Sequence, residues 1–224
     1  MIPAALPVVA LAILVGGGIV AAVLHRNRRR REALEQYCLV RGYRFERERP
    51  GAEADLEAFG IFRQGHNRRW RATITGQIGG RPFTAFEYTY VTGGGKNSNH
   101  HRLTVMLWES IETSLPAFTL VPEGFFRRLA QRFGVKDFDF IDDAGFSRAY
   151  QLQGDDEAAV RALFTPPLRA FLAAPAPEGV KATRYQLAGA GPRLLWWCDG
   201  RLPGPDALDE FLVEGDRLRR QFLD

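Results

Sequence analysis

From Ile2 to Leu24 the chain reads IPAALPVVALAILVGGGIVAAVL, with no charged or strongly polar side chain. These 23 residues, as a helix rising about 1.5 Å each, reach about 34 Å, enough for a hydrocarbon core of about 30 Å with some tilt. Twelve of them are Leu, Ile or Val, each contributing about −0.3 to −0.6 kcal/mol to insertion. Pro3 and Pro7 stand near the outer end, where a missing backbone donor costs little. A cleavable signal peptide would carry its basic residues before the apolar run and a small-residue cleavage site after it. Here the positive charges come after it, as His25-Arg26-Asn27-Arg28-Arg29-Arg30-Arg31. The positive-inside rule holds such a cluster in the cytoplasm. The expectation is a retained single-pass anchor in the inner (plasma) membrane, with the carboxyl-terminal part cytoplasmic.

That collar also accounts for the charge balance. The formal net charge is +4, but five of the 30 Lys and Arg fall at positions 26–31 and no acidic residue precedes Glu32. Residues 32–224 therefore hold 25 basic against 26 acidic side chains and are close to neutral. Nothing in this composition marks a basic nucleic-acid-binding face, so nucleic acid is not expected as a partner. Arg26, Arg28, Arg29, Arg30 and Arg31 are expected instead to contact anionic lipid, at about 1 kcal/mol per charge near the surface. Cys38 and Cys198 would sit in a reducing compartment, and no disulfide is expected. With 46% hydrophobic residues the chain can bury a real core.

Downstream, RRRREALEQYCLV (Arg28 to Val40) has the helical spacing of Leu34, Tyr37 and Cys38, with Gly42 as a stop. GYRFER reads as a strand. WRATITGQI alternates, placing Trp70, Ala72, Ile74 and Ile78 on one predicted face. Gly79-Gly80 can take the positive φ values of a two-residue hairpin, and RPFTAFEYTYV and RLTVMLWE complete an antiparallel meander. Pro122 to Gly134 reads as an amphipathic helix, KDFDF as a short strand, and GDDEAAVRALF as a helix with acids at its amino end. Thr165 is placed to cap a further helix begun by Pro166-Pro167. A hairpin of TRYQL and RLLWWC and an amphipathic helix over Pro205 to Phe222 close the chain. The predicted class is α+β: an antiparallel β meander and hairpins packed with amphipathic helices, preceded by one transmembrane helix. The predicted organisation is a transmembrane helix over 1–25, a basic juxtamembrane stalk helix over 26–42 and a cytoplasmic domain over 43–224.

The second turn of the meander, TGGGKNSNHH, is the most unusual stretch. It fails as a phosphate-binding loop, because Gly95-Lys96 is followed by Asn97 and then by a strand rather than a helix. It fails as a metal site, because neighbouring His100 and His101 on a strand point to opposite faces and only His66 offers a further ligand of that type. What survives is a polar tip of Lys96, Asn97, Asn99, His100, His101 and Arg102, a candidate ligand or partner contact. KDFDFIDDAG lacks the calcium-loop spacing, with Ile141 and Asp142 where an acid or Asn and a Gly are required. Asp155, Asp156 and Glu157 fit helix capping. No G-x-S-x-G elbow or cysteine signature appears. Gly17 with Ala21 and Gly18 with Ala22 allow weak self-association of the span.

The span with its arginine collar, the meander FEYTYVTGGGKNSNHHRLTV and the later FSRAYQLQGDDEAAVRALFTPPLRAFL resemble a family of uncharacterised single-pass membrane proteins of high-GC bacteria. The layout is also similar to a broader group of bacterial membrane-anchored domains of unknown function. The resemblance covers most of the chain and implies the anchor and the domain, with no activity and no site residues. The function expected is a non-enzymatic, membrane-anchored cytoplasmic module that binds a protein partner or the membrane surface, without cofactor or metal. The rival expectation is a small-ligand-binding domain or enzyme that uses the turn over 92–102 together with acids such as Asp155.

Overall fold

The computed structural model describes residues 5–49, 56–109, 113–123, 125, 138–174 and 184–223, with side chains in the first helix described from Gly16 onward. Eight strands form one sheet in the order β1-β2-β3-β4-β8-β7-β5-β6. They are β1 (Arg44–Glu48), β2 (His66–Ile78), β3 (Arg81–Thr92), β4 (Asn99–Trp108), β5 (Leu115–Pro122), β6 (Tyr150–Gly154), β7 (Gln186–Gly191) and β8 (Arg193–Asp199). Every neighbouring pair is antiparallel. The meander β2-β3-β4 is as the sequence predicts. The hairpin β7-β8 also forms, but β7 lies over Gln186–Gly191 rather than TRYQL, because the ladder continues through Ala188, Gly189 and Ala190 to Arg193 and leaves a tighter turn. Gly79 and Gly80 take φ 57° and 75° between the paired Ile78 and Arg81, the left-handed geometry of a two-residue hairpin.

The described helices are α1 (Ala5–Arg41), α2 (Ala144–Ala149), α3 (Glu157–Leu163), α4 (Pro166–Ala173) and α5 (Pro205–Leu223). All five contribute to one face of the sheet, where Leu34, Ile74, Met106, Trp196, Leu120, Phe164 and Leu212 share a buried cluster. The opposite face carries Trp70, Phe86, Tyr88, Leu103, Val105 and Trp197, covered by Leu56, Phe59, Ile61 and Phe62 from the segment before β2. Trp70 stacks on Phe86 with ring centroids 3.6 Å apart. The predicted common face for Trp70, Ala72 and Ile74 is therefore corrected. Arg71 pairs with Glu87 but Ile74 with Ala85, so β2 carries one extra residue there, and Ala72 has φ 48°. A bulge of one residue reverses the facing of everything beyond it. Trp70 consequently serves one core and Ile74 the other.

Local chemistry explains the small helices. Asp143 caps α2 by accepting from Phe146 N–H at 2.9 Å, and Asp156 caps α3 by accepting from Ala159 N–H at 3.0 Å. Thr165 holds the position before α4 but makes no capping bond through its side chain, a correction to the sequence expectation; Pro166 starts that helix by its fixed φ instead. Phe138 and Phe140 are buried with Asp139 exposed between them, as alternation requires. They form no strand, because Phe138 N–H makes a single bond to Leu152 O at 2.8 Å and Ser147 Oγ occupies Phe140 N–H. The helix expected over Pro122–Gly134 falls almost wholly outside the described residues.

The bond from Phe146 N–H, followed by that from Arg169, holds the Asp143 carboxyl below the usual carboxylate range. A depressed folded pKa stabilises the fold above the unfolded value, and that contribution disappears as pH falls through the folded one. Asp143→Ala is expected to cost about 1 kcal/mol at neutral pH. Thermal melting should show the gap between variant and parent closing in acid.

Helix α1 is unbroken over 37 residues, about 55 Å of rise. Among the described residues no helix is long and apolar enough to cross a membrane, so the span expected over Ile2–Leu24 finds no support there. The part of that run with described side chains, Gly16–Leu24, rises only about 14 Å against a core of about 30 Å. Further along, the same helix enters the domain. Leu34 and Cys38 are buried, Tyr37 donates to Asp209 of α5 at 2.6 Å, and Arg41 pairs with the same carboxylate. Burial pushes the Cys38 thiol up to about 11, which suits a packing residue rather than a nucleophile.

Candidate functional site

In β3, FTAFEYTYV places one carboxylate among aromatic and β-branched side chains. Because Phe86, Tyr88 and Tyr90 face the second core, Glu87 faces the helical side, where it is 5% exposed. An isolated buried carboxylate is costly, and it persists only if cations surround it. Arg30 of α1 lies 3.5 Å away, Arg102 of β4 3.4 Å and Arg201, just beyond β8, 4.0 Å. Arg30 also donates to the backbone carbonyl of Leu202. Burial lowers the Arg30 guanidinium from its ordinary value; Glu87 opposes that, while the adjacent Arg201 and Arg102 add to it. One carboxylate thus serves three guanidiniums, leaving a local excess of positive charge.

Above this cluster a recess of about 610 Å³ opens between α1 and the first three strands. Arg31, Arg47, Arg71 and Arg201 line it with Arg30, Glu48 and Glu87, and Leu24, Asn27, Phe45 and Ala72 complete the wall. The bulge at Ala72 sits in that wall. Arg47 is engaged by Glu35 at 2.9 Å, and Arg31 Nε donates to Asn27 O at 3.3 Å. Arg71 Nε lies 3.2 Å from Glu48 Oε1 but off the donor's line. Arg71 Nε and Arg201 Nε are both buried and lack a hydrogen-bond acceptor among the described residues.

The structure divides the predicted collar. Arg26, Arg28, Arg29 and Arg31 are exposed, and Arg28 pairs with Glu32 one turn on at 2.8 Å. Arg30 turns into the domain. The predicted ten-residue turn is shorter than expected, because the ladder runs up to Thr92↔Asn99 and leaves Gly93–Ser98 as the connection. Gly93 and Gly95 have φ 75° and 58°, and a Cβ on Gly93 would stand 2.4 Å from Asn97 O. Lys96 and Asn97 are exposed on this turn, whereas Asn99, His100, His101 and Arg102 belong to β4. His101 is occupied structurally, stacked on Tyr90 at 4.6 Å with Nε2 2.7 Å from Thr92 Oγ1. Arg102 meets Arg30 at Glu87, so one residue from each predicted group comes to a common point.

Asp155 does not join them. It follows edge strand β6, four strand positions from β4, about 19 Å at the spacing of a sheet, and lines a separate small recess with Arg63 and Gln153. Among the described residues no three His, Cys, Asp or Glu side chains group as metal ligands. Sequence reasoning missed Glu87, Arg71 and Arg201. The signal for Glu87 was a single acid at an inward position of an otherwise apolar strand. Arg71 and Arg201 become legible only once the bulge and the end of β8 bring them to α1.

A solved structure shares this fold. The crystal structure of the mycobacterial trehalose monomycolate transport factor A, TtfA, superposes with a TM-score of 0.57 over 88% of this chain and 94% of that one, at 14% identity. At that identity the similarity speaks for the fold alone. No protein-family model and no curated protein matches the chain.

Proposed function

We propose that the chain is a single-pass protein of the plasma membrane whose α+β domain lies on the cytoplasmic side and acts there by binding, not by catalysis, on a protein partner or the anionic membrane surface. The observation that carries this reading is the continuity of α1. One helix joins the exposed apolar side chains Ile19, Val20, Val23 and Leu24 to the exposed arginines 26, 28, 29 and 31 and then to the buried Leu34 and Cys38. Exposed apolar side chains bordered by cations suit a helix leaving a bilayer for an anionic head-group layer. The likeness to a membrane-protein family of high-GC bacteria supports the same assignment. Weak self-association through Gly17 and Gly18 belongs to this proposal. The fold shared with a trehalose monomycolate transport factor favours a role in handling a lipid at that surface.

Membrane fractionation tests the anchor. After alkaline carbonate washing, the full chain should remain in the membrane pellet, and a chain lacking residues 1–24 should not. Full release of the intact chain would contradict the proposal.

A further inference from the structure

We propose that the recess between α1 and β1–β3 is a binding site for the phosphate group of an anionic lipid, gripped by Arg71 and Arg201 with Arg30 and Arg31 behind them. The proposal deepens the membrane-anchored reading by naming what the domain takes from the surface.

Three observations support it independently. The first is charge: the lining residues include five arginines against Glu48 and Glu87, and Arg102 crowds the same buried Glu87. A phosphate dianion would relieve that excess. The second is unsatisfied donors. Arg201 Nε is buried and makes no hydrogen bond among the described residues, and Arg71 Nε, equally buried, meets Glu48 only as an ion pair at 3.2 Å without a hydrogen bond. A buried donor left without its bond is costly. Guanidinium forks match phosphate oxygens in geometry as well as in charge. The third is position. Leu24, the last residue of the apolar run, forms part of the same wall as Asn27, Phe45 and Ala72. A phosphate held by Arg71 and Arg201 can therefore leave its acyl chains beside the helix that enters the bilayer. A soluble phosphate ester would use the arginines but not this apolar edge.

The site differs from the collar in kind. Exposed Arg26, Arg28 and Arg29 attract any negative surface diffusely, whereas a walled recess with fixed donors discriminates between head groups. Glu87 tunes it, holding Arg30 and Arg201 in place and keeping the empty site from full self-repulsion.

The test uses the full chain purified in a neutral detergent, with lipid binding read by native mass spectrometry. Phosphatidate is compared with phosphatidylcholine, and soluble glycerol 3-phosphate serves as competitor. The parent should prefer phosphatidate at least ten-fold, and glycerol 3-phosphate should compete only at much higher concentration. The double variant Arg71→Gln, Arg201→Gln should lose the preference, while Arg26→Ser with Arg28→Ser and Arg29→Ser keeps it. Because Arg71→Gln could disturb the bulge, the double lysine variant is run beside it and should retain part of the preference with an unchanged melting temperature. Equal binding by the glutamine variant and the parent would overturn the site. Loss of preference in the collar variant alone would assign the effect to diffuse surface charge and likewise overturn it. Glycerol 3-phosphate competing at the lipid's own concentration would overturn the choice of a lipid. Failure of the anchor would show as release from membranes, and a chain released in that way could still bind phosphatidate, so the two failures are distinguishable.

Discussion

A chain begun at residue 43 is expected to lose cooperative unfolding and to aggregate, whereas one begun at residue 26 should melt as a folded domain. The expectation follows from where the second half of α1 lies. Leu34 is 0% and Cys38 1% exposed, both within the main core. Tyr37 and Arg41 are tied to Asp209, and Glu35 pairs with Arg47 of β1. Emptying a single buried leucine position costs about 2–5 kcal/mol, and a whole domain commands only about 5–15 kcal/mol. Removing the helix also takes two fully buried members out of the cluster to which Ile74, Phe83 and Ala85 belong. Circular dichroism melting with gel filtration separates the two truncations. A chain begun at residue 43 that melts within a few degrees of the longer one would show that the helix packs without contributing.

Glu87→Gln should be the most damaging of the conservative substitutions. It leaves Arg30, Arg102 and Arg201 facing one another around a neutral amide. Breaking a fully buried ion pair from one side costs about 3–5 kcal/mol. Here Arg102 and Arg201 keep 43% and 38% of their side chains exposed, so solvent screens part of that and the loss is expected at the lower end, on the order of 5 °C in melting temperature for a chain of this size. Adding Arg30→Met to that variant should recover part of the loss, because an apolar replacement removes the uncompensated charge together with its desolvation cost. Equal melting temperatures for parent and Glu87→Gln would mean that solvent already satisfies the arginines.

What the sequence conveyed, and what it did not, follows physical lines. Period-two alternation identified β3 and β4, because Phe86, Tyr88 and Tyr90 and then Leu103, Val105 and Leu107 each keep to one face. In β2 the same rule misassigned Trp70 against Ile74. A bulge adds a residue without changing composition, and a positive φ at Ala72 has no signature in the side chain. Helix periodicity marks Leu34 and Cys38 but cannot say that their helix packs against β1 and α5 within the main core rather than standing clear as a stalk. TGGGKNSNHH reads as a ten-residue turn, but the ladder continues through His100 and His101, and stacking on Tyr90 holds His101 within it. The arginine cluster was visible as a charge run. That one of its members faces inward depends on Glu87, which is 57 residues away.

In the proposed topology α1 leaves a membrane at its arginine collar and carries the domain into the cytoplasm. Topology reporters at the carboxyl terminus of the full chain test it most directly, with one reporter active only in the cytoplasm and the other only across the membrane. Activity of the cytoplasmic reporter alone is expected, in the membrane fraction. Activity of the external reporter, or cytoplasmic activity found wholly in the soluble fraction, would contradict it.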